Sequence, residues 1–175
     1  MSYRDEWIHP TVLEALQNLV RYTEGRNGAI MEFGCWEGRS LVQIAEAAGD
    51  RQVHAVDHWQ GNEGDEYTTT AAAERDIFAA FLDNTKHLDN VRVHRMSTEQ
   101  FMREWDKPIA LLHLDADHHY GAVKDQIEWA LPLLVPGGVL CGDDYSATWL
   151  GVTQAVDEIL PDATIIGSMW VHHND

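Results

Sequence analysis

The chain has 175 residues and a formal charge of -17, from 12 basic and 29 acidic residues, and 45% of it is hydrophobic. That length suits one domain with a full core, 1–175, and the composition is not that of a disordered chain. So acidic a surface argues against nucleic acid as a partner and against docking on anionic membranes, because both need basic patches. Cys35 and Cys141 sit in apolar, strand-like surroundings, which predicts buried reduced thiols; two cysteines are too few for a disulfide scaffold. The polar start does not read as a secretory leader, and no apolar run approaches the roughly 20 residues of a membrane span. The expectation is a cytoplasmic protein.

Pro10 opens a first helix, in which Val12, Leu13, Leu16, Leu19 and Val20 recur at helical spacing, and Gly25 follows as a stop. Residues 29–33 read as a buried strand, 34–38 as a turn, and the next helix carries Leu41, Ile44 and Ala48 and stops at Gly49. Residues 53–56 form a second strand ending at Asp57. A loop rich in Gly, Glu and Thr leads to a helix with Ile77, Phe78, Phe81 and Leu82. Residues 91–96 are a third strand, and Ser97 with Gln100 makes a capping box for a short helix. The almost wholly apolar run 109–114 suits a strand covered on both faces. A helix with Val123, Ile127, Ala130 and Leu134 follows. Pro136-Gly137-Gly138 then reads as a turn into a fifth strand, 139–142. Residues 152–160 read as a last helix, and 163–173 as a hairpin around Gly167-Ser168.

Alternating strands and helices predict an α/β fold: a doubly wound, mostly parallel, Rossmann-like sheet with helices on both faces and a C-terminal antiparallel hairpin. Ligands in such sheets bind beyond the carboxyl ends of the strands, near the topological switch point. The residues there are Gly34, Asp57, Ser97, Asp115 and Asp143.

Glu32-Phe33-Gly34-Cys35-Trp36-Glu37-Gly38-Arg39-Ser40 is the first informative segment. Its glycines let the backbone pass close to a ligand, and Ser40 falls in the first turn of a helix, where free N–H groups favour a carboxylate. The spacing is not the dinucleotide pattern. It resembles the E/D-x-G-x-x-x-G signature of class I S-adenosylmethionine (SAM)-dependent methyltransferases; the alternative is a tight strand–helix turn with no ligand. Asp57 lies about 20 residues beyond the turn, where an acid accepts from ribose hydroxyls; a loop or capping acid is the other reading. Ser97 stands where such enzymes contact adenine, and it can cap a helix as well.

Adjacent parallel strands place Asp115 near Asp143 and Asp144. Three carboxylates at one spot repel unless protonated or neutralised, and a divalent cation is the simplest remedy. All-oxygen ligands suit Mg²⁺, Ca²⁺ or Mn²⁺. Alternatively, some of these acids cap helices and face water.

The stretch HLDADHHYGAVKDQIEWALPLLVPGGVLCGDDY resembles the family typified by macrocin O-methyltransferase, and AVDHWQGNE resembles that family's second-strand segment. The likeness runs over 30–160. A more distant likeness, to the catechol and caffeoyl-CoA O-methyltransferases, includes the serine that holds the methionine carboxylate, here Ser40. The resemblance implies cofactor contacts at Glu32, Gly34, Trp36, Gly38, Ser40, Asp57, His58 and Ser97. It implies metal ligands at Asp115, Asp143 and Asp144, with Mg²⁺ or another divalent cation. Where the catechol-type enzymes carry a lysine base, this chain has His118, so His118, or else Asp115, is expected to take the proton. The implied reaction is methyl transfer to a hydroxyl of a small molecule, a sugar or glycosylated natural product favoured. The 61–73 segment reads as a lid or as a plain surface loop. The chain is short for the family, so a second copy is expected to complete the acceptor pocket as a homodimer. The competing readings are a nucleotide-sugar or dinucleotide-binding oxidoreductase, a metal-dependent hydrolase, and a binding protein that has kept the fold without catalysis.

Overall fold

The computed structural model describes residues 2–62 and 64–175; Met1, and Glu63 within the 61–73 segment, lie outside the described residues. Helix α1 (Pro10–Tyr22) starts at Pro10, as expected, and buries Val12, Leu16, Leu19 and Val20. The elements then run β1 (Ala29–Phe33), α2 (Arg39–Ala48), β2 (Val53–Asp57), α3 (Glu66–Glu74), α4 (Ile77–Thr85), β3 (Val91–Arg95) and α5 (Thr98–Glu104). After them come β4 (Ile109–Leu114), α6 (Tyr120–Ala130), a 3₁₀ turn, β5 (Leu134–Gly142), α7 (Leu150–Ile159), β6 (Thr164–Ile166) and β7 (Met169–Asn174).

One sheet joins all the strands in the order β3-β2-β1-β4-β5-β7-β6. Strands β1 to β5 are parallel, and β7 runs antiparallel to both β5 and β6. The terminal hairpin is therefore the predicted antiparallel addition. The chain reverses direction across the sheet between β1 and β4, and that is the switch point. Apolar residues fill both faces. Val12, Leu16, Leu41 and Ile44 pack under α1 and α2 on one, while Phe33, Leu112, Ile127 and Val156 pack under α6 and α7 on the other. Among the described residues no helix is long and apolar enough to cross a membrane.

Two elements differ from the sequence reading. Most of the 61–73 segment is helix α3, started by Asp65, whose side chain accepts from the N–H groups of Tyr67 and Thr68. Its Thr-rich composition and single buried residue, Thr68, give no apolar stripe to read. Strand β5 starts at Leu134 rather than 139. Its ladder with β4 shifts register between the Ile109–Leu134 and Leu111–Val139 pairs, so Pro136-Gly137-Gly138 forms a bulge within the strand. The Asn174 amide satisfies the Leu134 and Val135 carbonyls there, at 2.9 and 3.1 Å.

Candidate active site

The parallel ladders continue one residue past their strands and fix the loops that follow. Gly34 N–H donates to Val56 O (3.0 Å), Asp115 N–H to Phe33 O (2.8 Å) and Asp143 N–H to Leu114 O (3.1 Å). Gly34, at φ +81°, lies against the backbone at Asp115, so the glycine turn and the acidic loop touch. These strand ends open onto a cavity of about 480 Å³, within the range of nucleoside-sized ligand pockets.

Gly34, Trp36, Ser40, Asp57, His58, Ser97, Asp115, His118, Asp143 and Asp144 all line this cavity. Two of the sequence-derived candidates do not. Gly38 holds the left-handed N-cap of α2, at φ +88°, and faces Phe81 and Thr85 of α4. Glu32 is wholly buried behind the cavity wall, with Oε1 2.8 Å from His113 Nδ1. Glu32 pairs with His113 across the β1–β4 ladder and His113 with Cys141 across β4–β5, so the three form one buried row. Burial first, then Glu32 and Asp143, pushes the Cys141 thiol up. The Cys35 thiol is raised for the same first reason. Both cysteines are free, buried and protonated, as the sequence suggested.

Asp57 organises the glycine turn. Its Oδ2 accepts from the N–H groups of Cys35 (2.8 Å) and Trp36 (2.9 Å), and its Oδ1 from Trp59 N–H (2.6 Å). A carboxylate has about four acceptor positions, so one remains for a ligand hydroxyl. Ser97 forms the predicted capping box with Gln100 and still lines the cavity. Helix α2 has no side-chain cap, and its first residues, Arg39 and Ser40, face the cavity. Arg39 Nη1 is buried without a hydrogen-bond partner. Unspent N–H groups, a hydroxyl and a guanidinium together fit the carboxylate of an amino-acid ligand. The sequence reading missed Arg39, although it sits beside Ser40 in the same first turn.

The acidic loop differs from its expected ligand set. Ligand atoms of Asp115, His118 and Asp144 all lie within 4.8 Å of one another, whereas Asp143 is outside that trio. Asp143 turns its Oδ1 onto the N–H of Asp144 (2.8 Å). His118 Nε2 approaches Asp144 Oδ2 to 2.7 Å without the alignment of a hydrogen bond, and the nitrogen stays buried and unbonded. The imidazole packs on Trp149, ring centroids 4.1 Å apart. Burial, then the charges of Asp143 and Asp144, raises the Asp115 carboxyl well above its ordinary range. The Asp115 and Asp144 carboxylates fit a divalent cation, and the unbonded imidazole nitrogen beside them is placed to take a proton from a group bound there.

Every non-glycine residue with positive φ among the described residues belongs to this region: Trp36 (+45°), Trp59 (+58°) and Asp144 (+64°). The indole of Trp59 donates to Trp36 O (2.8 Å) and so ties the first two together. Asn62 Nδ2 donates to Ala116 O, which joins the start of the 61–73 segment to the acidic loop.

The sequence profile of a family described as a methyltransferase domain matches residues 31–145. The chain belongs to that family. No curated protein matches its sequence. Among solved structures, the methyltransferase is similar to CalS11, a TDP-rhamnose 3'-O-methyltransferase of calicheamicin biosynthesis: 20% identity, TM-score 0.67, covering 93% of this chain and 79% of that one. It is similar to the O-methyltransferase NovP at 22% identity and TM-score 0.68, covering 94% and 79%. It is also similar to TomG from Streptomyces achromogenes, an O-methyltransferase of tomaymycin synthesis solved with SAM, at 16% identity and TM-score 0.68, covering 98% and 83%. At these identities the likeness establishes the class I methyltransferase fold.

Proposed function

We propose that the methyltransferase uses SAM to methylate a hydroxyl of a small molecule, and that a divalent cation held by Asp115 and Asp144 assists. A sugar or glycosylated natural product is the favoured acceptor. The observation that carries this reading is the juxtaposition of the Asp115–His118–Asp144 trio with a nucleoside-sized cavity at the switch point. SAM supplies an electrophilic methyl group, and a bound cation lowers the pKa of an acceptor hydroxyl. The chain's own residues do the rest. The α2 N-terminus with Ser40 and Arg39 receives the carboxylate, and Asp57 receives the ribose. The cavity walls hold the two reactants together. His118, steered by Trp149 and Asp144, takes the hydroxyl proton. The acid lining favours an acceptor without phosphate groups.

His118→Ala is expected to lower turnover about a hundredfold while S-adenosylhomocysteine (SAH) affinity stays within about threefold, as befits a general base. Turnover and calorimetric SAH binding of the same preparation test this. Unchanged turnover removes His118 from proton transfer, and a selective loss of Mn²⁺ affinity makes it a ligand instead.

The raised Asp115 carboxyl also predicts a pH signature. A folded-state pKa above the unfolded one gives stability that is present at low pH and lost as pH rises through the folded value. In chelator-treated protein, stability should therefore fall as pH climbs above the ordinary value of 3.8. Added Mn²⁺ should restore it, with a larger gain in melting temperature at about pH 8 than at about pH 5. A cation effect that is absent, or equal at both pH values, counts against Asp115 and Asp144 as a metal site.

A further inference from the structure

The segment ahead of α1 lies along the cavity and is fastened there by buried charge. Asp5 and Glu37 are buried carboxylates, only 8% and 3% exposed, from this segment and from the glycine turn. Arg75, between α3 and α4, bridges them, one guanidinium nitrogen on Asp5 Oδ2 and the other on Glu37 Oε1. Asp5 also accepts from the Tyr67 hydroxyl (2.6 Å) and the Trp36 indole N–H (2.9 Å). The second oxygen of Glu37 accepts from the N–H groups of Arg4 (2.6 Å) and Asp5 (3.3 Å). Trp7 packs on Trp36 and edge-on to Tyr67, at 5.8 and 5.5 Å between ring centroids. Burial alone would push the Asp5 carboxyl up, but the bonds from Tyr67, Trp36 and Arg75 overcome it and hold the group below its ordinary value.

Asp5, Trp7 and Ile8 wall the same end of the cavity as Glu37, Arg39 and Ser40, where the uncapped α2 N-terminus points. Arg75 itself is not part of that wall. One partly buried cation thus joins three separate parts of the chain around a cavity it does not line. Without it, the two buried carboxylates keep only neutral donors, and a buried charge stripped of its counter-charge is strongly destabilising.

We propose that Arg75 is a positioning residue for cofactor binding, one that ties Asp5 to Glu37 and so holds the N-terminal segment as a roof over the α2 end of the pocket. The proposal rests on reading this cavity as the SAM site. A clamp of this kind slows dissociation, because the cofactor leaves only when the segment lifts. Its natural readout is affinity rather than the chemical step.

The test is calorimetric titration of SAH into the full chain and its Arg75→Ala, Arg75→Lys, Asp5→Ala and Arg75→Ala/Asp5→Ala variants, with hydrogen exchange followed over residues 2–9. Each alanine variant should weaken SAH about tenfold, and the double variant no more than the stronger single one, because residues in one network are not additive. Lysine should restore only part, since an ammonium cannot span both carboxylates as a planar guanidinium does. Exchange should speed up in residues 2–9 and not in the sheet, and KM for SAM should rise with kcat within about twofold. Unchanged SAH affinity in Arg75→Ala, strictly multiplicative losses in the double variant, or an equal loss of protection throughout the sheet would each overturn the clamp. SAH binding to the unaltered chain is the control that separates the two failures: its absence overturns the SAM reading and the clamp with it, whereas intact binding with any result above overturns the clamp alone.

Discussion

Alanine at Gly34 is expected to abolish SAH binding and to lower the melting temperature by roughly 10 °C. Its Cβ would stand 2.0 Å from the carbonyl oxygen of Asp115 and 2.4 Å from the carbonyl carbon. Both are backbone atoms at the end of β4, so no side chain can swing aside. The residue also sits at φ +81°, which costs an L-residue about 1–2 kcal/mol. Overpacking adds about 1–3 kcal/mol, and for a chain of this size each kcal/mol moves the midpoint by about 2–4 °C. The alternative to local strain is to part β1 from β4 at the switch point, which would break the Asp115–Phe33 bond and misplace the acidic trio. Calorimetric unfolding and SAH titration of one preparation check this. A Gly34→Ala protein with unchanged midpoint and SAH affinity would show that the two loops do not meet as described.

The second large effect is expected at Asp57. Asp57→Ala takes the acceptor from the N–H groups of Cys35, Trp36 and Trp59 at once. Each buried donor left without a partner costs about 1–3 kcal/mol, so the glycine turn should loosen and SAH binding disappear. That loss alone would not separate a ribose contact from a framework role, because the same carboxylate does both in this reading. Asp57→Asn keeps one acceptor oxygen. It is expected to hold the midpoint within a few degrees while weakening SAH about tenfold, in line with the loss of a hydrogen bond to a charged group. Asparagine that binds SAH as tightly as the native residue would leave Asp57 a role in the turn and none towards the ribose.

The sheet was legible because its signals are local. The apolar run of β4, the glycines after β1, and the acids after β2, β4 and β5 each depend on a few adjacent residues, and strand–helix alternation then dictates the topology. The site was legible only as far as the strand ends. Gly34, Asp57, Ser97 and Asp115 line the cavity as strand-end positions should, because a parallel sheet brings its carboxyl ends to one edge. Glu32 was misplaced because period-2 alternation does not say which face of β1 turns from the ligand, and its partner His113 sits inside a run that reads as plain core. His118 joined the trio in place of Asp143 because one backbone inversion, at Asp144, turns the second acid towards the imidazole and leaves the first bonded to the chain. Asp5, Glu37 and Arg75 were beyond sequence reasoning. Sequence separations of 31 to 70 residues, with no shared motif, connect Asp5 to Trp36, Tyr67 and Arg75.

The positive φ angles of Trp36, Trp59 and Asp144 carry a consequence for how this protein can change over time. Backbone held in that region costs about 1–3 kcal/mol per residue, and glycine would relieve it at once. At 36 and 59 the indoles offset that cost, Trp59 buried against Phe78 and Phe81 and Trp36 bonded to Asp5. At 144 no such packing does, so selection for a sturdier chain alone would favour glycine there, and the same step removes a carboxylate of the trio. An acid kept at 144 at this angle would mark a lineage still using the trio, whereas drift to glycine there would trace a scaffold released from it.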